Sequence, residues 1–276
     1  MNTTTRLYDM HNHSHHSHDA KSDITALCEA AVKKGLAGFA ITDHFDNEFS
    51  KTFDTFSSIV SSFRDCREKE ELYGDRIKLL CGVEIGEGLW FPEDAKKMIE
   101  MCDFDVVLGS VHAVRYKDFT VPYSTLDFSK LSEQDIYGFW NAYFDDLIVC
   151  AEETDYDILT HLTCPLRYLN GKFGYALSPE AHSDKIDRIL TAVISRQKAL
   201  EINTSCLFTP YNELMPNQAI LQRYYNLGGR RITIGSDSHI EENFGKGLET
   251  AVPTLKKIGF DTAYYYQKRQ AVAYAL

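Results

Sequence analysis

The chain has 276 residues, of which 44% are hydrophobic and 25% are charged, and it carries a formal net charge of −11. This length can bury a sizeable core without disulfide bonds, and the negative charge argues against nonspecific binding to nucleic acid. The sequence has no apolar run long enough to span a membrane and no signal-peptide core. Its seven cysteines are scattered without a CxxC pair, which is typical of reduced thiols, so we expect a cytoplasmic protein.

Short apolar runs alternate with longer amphipathic segments along the chain. The apolar runs, several of them rich in Val and Ile, predict buried strands at Arg6–Met10, Ala37–Thr42, Ile77–Val83, Asp105–Val111, Tyr156–Thr160, Ala199–Asn203 and Arg231–Gly235. The segments between and after them predict helices at Asp23–Lys34, Phe53–Leu72, Pro92–Met101, Ser132–Glu153, Pro179–Lys198, Pro216–Leu227 and Glu241–Ile258. This alternation predicts a parallel sheet, and at this length a closed α/β barrel of the TIM-like (β/α)7 type, with residues 1–276 as a single domain. An open doubly wound sheet is the alternative.

Side chains that can bind metal follow the predicted strands. In chain order these strand ends carry Asp9, His11, His13, Asp43, His44, Glu84, His112, His161, Asn203, Asp237 and His239. The carboxyl ends of the strands of a barrel meet on one face, so these side chains should converge. A single histidine at a strand end more often makes a structural hydrogen bond, but chance placement would scatter histidines through helices and loops. The pattern therefore predicts a metal site at this end of the barrel.

The spacing of these residues supports a metal site with more than one ion. His11 and His13 are two residues apart, as are Asp237 and His239, and in extended backbone such pairs point to the same face. Neutral imidazoles suit zinc, iron or manganese, and carboxylates can bridge ions and offset their charge. The histidines and carboxylates in this pattern are too many for one tetrahedral zinc ion, so we expect two or three divalent ions.

The histidine-rich segment His11–His18 has a second interpretation, because such a run could scavenge metal without forming a defined site. His15, His16 and His18 are therefore weaker ligand candidates than His11 and His13. His182 falls within a predicted helix, where we expect a structural or exposed side chain.

Taken in order, these motifs resemble those of the polymerase and histidinol phosphatase (PHP) superfamily, from residue 9 to about residue 240. The matching segments are Asp9-Met-His11-Asn-His13, Ser17-His-Asp19, Thr42-Asp43-His44, Gly82-Val-Glu84, Gly109-Ser-Val-His112, Thr160-His161-Leu162 and Gly235-Ser-Asp237-Ser-His239. Glu201-Ile-Asn203-Thr-Ser205 resembles a segment of the stand-alone histidinol-phosphatase branch.

The resemblance implies a distorted seven-stranded barrel that holds two or three metal ions and hydrolyses a phosphate ester. The ligands that it implies are His11, His13, Asp19, His44, Glu84, His112, His161, Asp237 and His239. Across the superfamily the position of Asp19 is occupied by Asp or His, which favours Asp19 over His18 as the ligand.

The chain departs from the histidinol-phosphatase branch at one position. There the Asn-Thr segment is usually followed by a small residue and an arginine that holds phosphate, whereas the run here is Asn203-Thr-Ser-Cys206. Arg167 lies on the expected face and resembles a family arginine, so it is the main candidate for the phosphate contact. Arg115 is a weaker candidate for contacting the substrate.

The expected reaction is hydrolysis of a small phosphate monoester, with histidinol phosphate, an intermediate of histidine biosynthesis, as the first candidate. Metal ions would lower the pKa of a bound water and neutralise charge on the phosphate. Asp237 or His239 could protonate the leaving alkoxide, although metal ligation would compete with that role. Asn203 could contact substrate, and Asp9 and Asp43 are expected to orient adjacent histidines.

Alternative functions remain open from the sequence. The same scaffold could act on a phosphotyrosine protein, a nucleotide or an oligonucleotide, or the chain could be a non-catalytic metal-binding regulatory module. An amidohydrolase-like barrel usually needs a bridging lysine on strand four, where this chain has His112. A small phosphorylated substrate is the expected partner, with neither nucleic acid nor membrane, and a homo-oligomer is left open.

Overall fold

The computed structural model describes residues 6–46, 53–117 and 121–276. Residues 118–120 of the loop after the fourth predicted strand, and residues 1–5 at the start of the chain, lie outside these ranges. The strands are β1 (Tyr8–Asp9), β2 (Gly38–Ile41), β3 (His44–Asp46), β4 (Lys78–Gly86), β5 (Val106–Ser110), β6 (Ile158–Leu159), β7 (Ala199–Asn203), β8 (Ile232–Gly235), β9 (Thr262–Gln267) and β10 (Gln270–Ala275). The helices are α1 (Ile24–Lys34), α2 (Thr55–Tyr73), α3 (Pro92–Met101), α4 (Glu133–Glu153), α5 (Leu166–Leu169), α6 (Ser183–Ser195), α7 (Gln218–Asn226) and α8 (Leu248–Ile258).

Parallel strands form the predicted barrel in the order β1-β2-β4-β5-β6-β7-β8. β3 continues the path of β2 beyond two intervening residues and pairs with the second half of β4. The barrel closes between β8 and β1, where the Met10 N–H donates to Ile234 O at 2.9 Å and the Asp237 N–H donates to His11 O at 2.8 Å. The closed (β/α)7 barrel is therefore confirmed, and the open sheet is wrong because its two edges are bonded to each other.

The helix boundaries follow local capping chemistry. Asp23 caps α1 by accepting a hydrogen bond from the Thr25 N–H at 2.8 Å, and Gly35 ends the helix with a φ of 67°. The helix predicted over Glu241–Ile258 is interrupted, because Gly245 and Gly247 both have positive φ. Its first part is a 3-10 turn, and α8 begins only after Gly247.

A C-terminal hairpin, β9–β10, closes the amino-terminal end of the barrel and was not predicted. Tyr266 is 3% exposed and packs with the apolar residues of the barrel interior. Beyond it, the Lys268 N–H donates to Asp105 Oδ1 at 3.0 Å, and the Arg269 guanidinium pairs with Asp157. Asp105 and Asp157 immediately precede β5 and β6. The hairpin therefore covers the amino-terminal end of the barrel, and the carboxyl end remains open to polar side chains.

Within the described residues, none of the helices combines the length and the apolarity that crossing a bilayer requires.

Candidate metal centre

The nine predicted ligands come together at the carboxyl end of the barrel. His11 and His13 follow β1, His44 begins β3, Glu84 lies within β4, and His112 and His161 follow β5 and β6. Asp237 and His239 follow β8, and Asp19 lies in the loop between β1 and α1. Glu84 is inside the strand rather than beyond it, because β4 extends to Gly86, three residues further than the sequence predicted.

A first group combines Glu84 Oε2 with three other donor atoms. Glu84 Oε2 lies 3.2 Å from His11 Nε2 and 3.5 Å from His13 Nε2. The two imidazole nitrogens are 3.1 Å apart, and Asp237 Oδ1 is 3.4 Å from His13 Nε2. Bonds of about 2.0–2.1 Å to a tetrahedral ion put its ligand atoms about 3.3 Å apart. The spacing of this first group therefore matches that of ligands around a single ion.

The other oxygen of Glu84 faces a second group. Glu84 Oε1 lies 3.1 Å from His161 Nε2 and 3.3 Å from His112 Nε2. Ser110 Oγ also donates to this oxygen, at 2.5 Å. Because its two oxygens face different imidazoles, with His44 Nδ1 also 3.0 Å from Oε2, the carboxylate of Glu84 can bridge two ions.

A third group lies nearer to solvent. Asp19 Oδ2 is 3.4 Å from His239 Nε2, and Asp19 Oδ1 is 3.6 Å from His44 Nε2. The two imidazole nitrogens are 3.3 Å apart. Asp19 is 45% exposed and His239 is 26% exposed, so this group forms the accessible side of the cluster. His239 Nδ1 lies 3.0 Å from the Asp237 backbone oxygen, and a bond donated there leaves Nε2 free to bind a cation.

Two buried carboxylates orient the imidazoles of the first two groups. His11 Nδ1 donates to Glu201 Oε1 at 2.7 Å, and the His161 backbone N–H donates to Glu201 Oε2 at 2.8 Å. His112 Nδ1 donates to Asp46 Oδ2 at 3.1 Å. These bonds fix the tautomer in which Nε2 carries the lone pair, which is the arrangement that metal-binding histidines adopt.

Asp46 and Glu201 have no predicted role in the sequence motifs. Each lies two residues from a residue that was singled out, Asp46 after His44 on β3 and Glu201 before Asn203 on β7. Since residues two apart in a strand face the same side, applying that alternation to these strands would have found both carboxylates.

Asp43 and Asp9, both predicted to orient histidines, have different hydrogen-bond partners. Asp43 Oδ1 accepts a bond from Ser17 Oγ at 2.7 Å, and Ser17 Oγ lies 3.3 Å from His13 Nδ1. Asp9 instead accepts from the Ser236 N–H at 2.8 Å and from Ser236 Oγ at 2.6 Å. Asp9 therefore links β1 to the residue that follows β8.

The electrostatics of the cluster favour divalent cations. Glu84 is fully buried, and its Oε2 has no hydrogen-bond partner among the described residues. Although burial acts in the opposite direction, nearby His11 and His112 hold the pKa of Glu84 well below its usual value. The carboxylates in turn raise the pKa of His11 and His112 well above the usual value, again against the effect of burial. Protons and metal ions therefore compete for the same nitrogen lone pairs.

Arg167 lies at the wall of the cavity above the cluster. Its Nη2 donates to Asp237 Oδ2 at 2.9 Å and contacts Ser205 Oγ, while its Nε is 3.2 Å from Cys206 Sγ. Despite burial, His11, His13 and Arg167 hold the pKa of Asp237 well below its usual value. The guanidinium of Arg167 thus reaches the position where the sequence has Cys206 in place of an arginine.

Two predicted substrate contacts lie elsewhere. The Arg115 guanidinium carbon lies 4.3 Å from the centroid of the Trp90 ring, and Arg115 is not among the cavity residues. Asn203 is fully buried and its Oδ1 accepts bonds from the N–H and Oγ of Ser205 at 3.1 and 2.6 Å. Asn203 therefore positions Ser205 rather than facing the cavity.

The weaker histidine candidates occupy different places. His18 lines the cavity, with Nε2 3.9 Å from Asp19 Oδ2. His15 and His16 lie outside the nine-residue cluster. His182 lies beside Trp140, with ring centroids 5.9 Å apart, as expected of a structural side chain. The remaining wall of the cavity is formed by Asp46, Pro122, Tyr123, Ser124, Cys164 and Tyr168.

Comparison with known proteins gives consistent matches. The family model of the PHP domain matches residues 9–205. The protein named probable histidinol-phosphatase of Thermotoga maritima is 31% identical over 255 residues, which cover 92% of this chain and 94% of that protein. The histidinol-phosphatase of Lactococcus lactis is 29% identical, with 91% of each chain covered. The crystal structure of the histidinol phosphate phosphatase of L. lactis, in complex with zinc, L-histidinol and phosphate, superposes with a TM-score of 0.80 at 23% identity, covering 97% of this chain and 99% of that one.

Replacing an orienting carboxylate should weaken metal binding without removing a ligand. In Glu201→Gln and Asp46→Asn the side chain keeps its size, but the bond that fixes the adjacent imidazole weakens. We expect metal affinity to fall by about 10–100-fold. Equilibrium dialysis against buffered zinc measures this, with Glu93→Gln on the exposed face of α3 as the matched control. Unchanged affinity in both variants would show that neither carboxylate acts on the metal centre.

Proposed function

This chain belongs to the PHP domain family, and on that basis we propose that it hydrolyses histidinol phosphate to histidinol and phosphate with divalent metal ions as cofactors. The observation that carries the proposal is the cluster of nine candidate ligands, with Glu84 at its centre, in which each donor group of the family motifs is present. Curated relatives that match over nine-tenths of the chain carry the same activity in their names. The enzyme is accordingly a phosphoric monoester hydrolase that takes a small phosphorylated substrate.

The grouping of the ligands supports three ions. The first group would comprise His11, His13, Glu84 and Asp237, and the second would comprise Glu84, His112 and His161. Asp19, His44 and His239 would hold the third ion. Imidazoles mixed with carboxylates suit zinc, manganese or iron. When bound, such ions supply an activated water at neutral pH and neutralise charge on the phosphate as it is transferred.

Arg167 is the proposed phosphate-binding side chain. It lines the cavity, and its guanidinium is already held beside the metal ligands by Asp237 and Ser205. A guanidinium can donate two parallel bonds to phosphate oxygens. Since the acidic protein must attract an anion, a fixed positive charge at the cavity wall complements the metal ions.

Proton donation to the leaving oxygen favours His239 over Asp237. Both oxygens of Asp237 are engaged, one with His13 and the other with Arg167, and its low pKa keeps it ionised. His239 is 26% exposed at the cavity, and its Nε2 lies in the group nearest to solvent, 3.4 Å from Asp19 Oδ2. The role competes with metal ligation in the third group, so a water in the cavity is the alternative donor.

The cytoplasm is the proposed location. All seven cysteines are free thiols in the structure, which suits a reducing compartment. Nucleic acid is not a proposed partner, because the net charge of −11 disfavours binding to a polyanion. Formation of a homo-oligomer stays an open prediction.

Phosphate release from histidinol phosphate tests the proposed reaction. The protein, reconstituted with zinc or with manganese, should release phosphate from histidinol phosphate with a higher kcat/KM than from phosphotyrosine or nucleoside monophosphates. Chelation should abolish the activity, because ions at the Glu84 cluster activate the water. Faster turnover of phosphotyrosine or a nucleotide would show that the substrate is not histidinol phosphate, although the reaction is still phosphate ester hydrolysis. No phosphate release from any of these esters would contradict the enzyme assignment.

Removing the guanidinium of Arg167 should lower the catalytic efficiency on the phosphate ester. Arg167→Ala should lower kcat/KM by about tenfold to a hundredfold, since a charge-assisted contact contributes about 1.5–3 kcal/mol. Arg115→Ala is the matched control, because that guanidinium packs on Trp90 away from the cavity. Steady-state kinetics on histidinol phosphate gives both values. Equal kcat/KM for the two variants would remove Arg167 from the substrate site.

A further inference from the structure

A second cluster of metal-binding side chains lies outside the nine-residue centre. His15 and His16 lie in the loop after β1, and Asp65 lies on α2. One ligand atom from each of the three residues lies within 4.8 Å of the others. His16 Nε2 is 3.4 Å from Asp65 Oδ2, and the ring centroids of His15 and His16 are 4.1 Å apart. Two imidazoles and a carboxylate are a ligand set that zinc uses, with water completing the coordination.

The surrounding backbone holds this cluster in place. The His15 N–H donates to Ser22 O at 2.8 Å, and Ser58 Oγ donates to His16 O at 2.5 Å. Asp65 is fixed by its position in the 19-residue helix α2. The side chains of His16 and Asp65 are 16% and 23% exposed, so an ion can reach them from solvent. The ligands are therefore spaced and supported before any ion binds, which lowers the cost of ordering them.

We propose that His15, His16 and Asp65 form a peripheral site for a divalent transition-metal ion, for which zinc is the test case. The site is separate from the catalytic cluster, but it lies on the same loop. His13 and Asp19, two ligands of that cluster, flank the segment that carries His15 and His16. An ion at the peripheral site would therefore tie the loop between the two catalytic ligands to α2.

A neighbouring lysine competes for the carboxylate. Lys69 Nζ lies 3.3 Å from Asp65 Oδ1, one helical turn along α2. Its ammonium group repels a metal ion and occupies one of the two oxygens of Asp65. Lys69→Met removes this charge while keeping a long side chain, so it should strengthen zinc binding at the peripheral site.

Counting zinc ions bound per chain tests the proposal. The holoprotein is dialysed against buffered free zinc over a range of concentrations, and bound zinc is measured by mass spectrometry of the element. We expect one weaker equivalent beyond those of the catalytic cluster. His16→Ala and Asp65→Asn should each lose that equivalent, and Lys69→Met should fill it at lower free zinc. His182→Ala, which removes a histidine that packs against Trp140 on α4, should bind as the wild type does.

The readout does not depend on phosphatase activity, so it stays informative whatever the substrate is. His16 and Asp65 lie on different elements, and circular dichroism checks that each variant is folded. Zinc counts that match the wild type in both His16→Ala and Asp65→Asn would overturn the proposal. An equal loss in His182→Ala would overturn it as well, because the extra zinc would then be bound nonspecifically.

Discussion

The buried carboxylate of Glu84 is the interaction on which the rest of the site depends. It is enclosed by imidazoles from β1, β3 and the ends of β5 and β6, and it has no exposure to solvent. A buried carboxylate costs several kcal/mol of desolvation unless positive charge compensates it. Glu201 and Asp46 hold the neighbouring histidines so that they offer lone pairs, and divalent ions can then supply the charge. The ligands and the residues that orient them form one electrostatic unit for this reason.

The side chains inside the barrel change from apolar to polar along its axis, and the metal-binding residues occupy the polar end. Inward-facing Leu80 on β4 and Val106 on β5 belong to an apolar layer that Tyr266 seals from below. Four residues further along the same strands stand Glu84 and Ser110, which hydrogen bond to each other. Side chains four residues apart in a strand face the same way. Each of these two strands therefore places an apolar residue and a polar residue of the site on the same interior face. The β9–β10 hairpin covers the apolar end of the barrel, and the polar side chains lie at the opposite end.

Regular patterns in the sequence predicted most of this arrangement. Alternating strands and helices gave the barrel, residues at strand ends gave eight of the nine side chains that meet in the cluster, and the family resemblance gave Asp19. The closing hairpin was missed because its turn, Lys268-Arg269, lacks the Asn-Gly or Asp-Gly signature of tight hairpins although both residues have positive φ. The position of Arg115 could not be predicted because the path of its loop follows tertiary packing, here on the Trp90 ring. Such contacts do not recur at regular intervals along the chain, so a sequence pattern cannot predict them.

The most direct test of this account is the metal content of Glu84→Gln. Glutamine keeps the volume of the side chain but removes the charge that two groups of ligands share. We expect the ions of the first and second groups to be lost together, whereas the ion at Asp19, His44 and His239 remains. Metal analysis of the purified variant beside the wild type measures this. Retention of the full metal complement would contradict the claim that Glu84 organises the site.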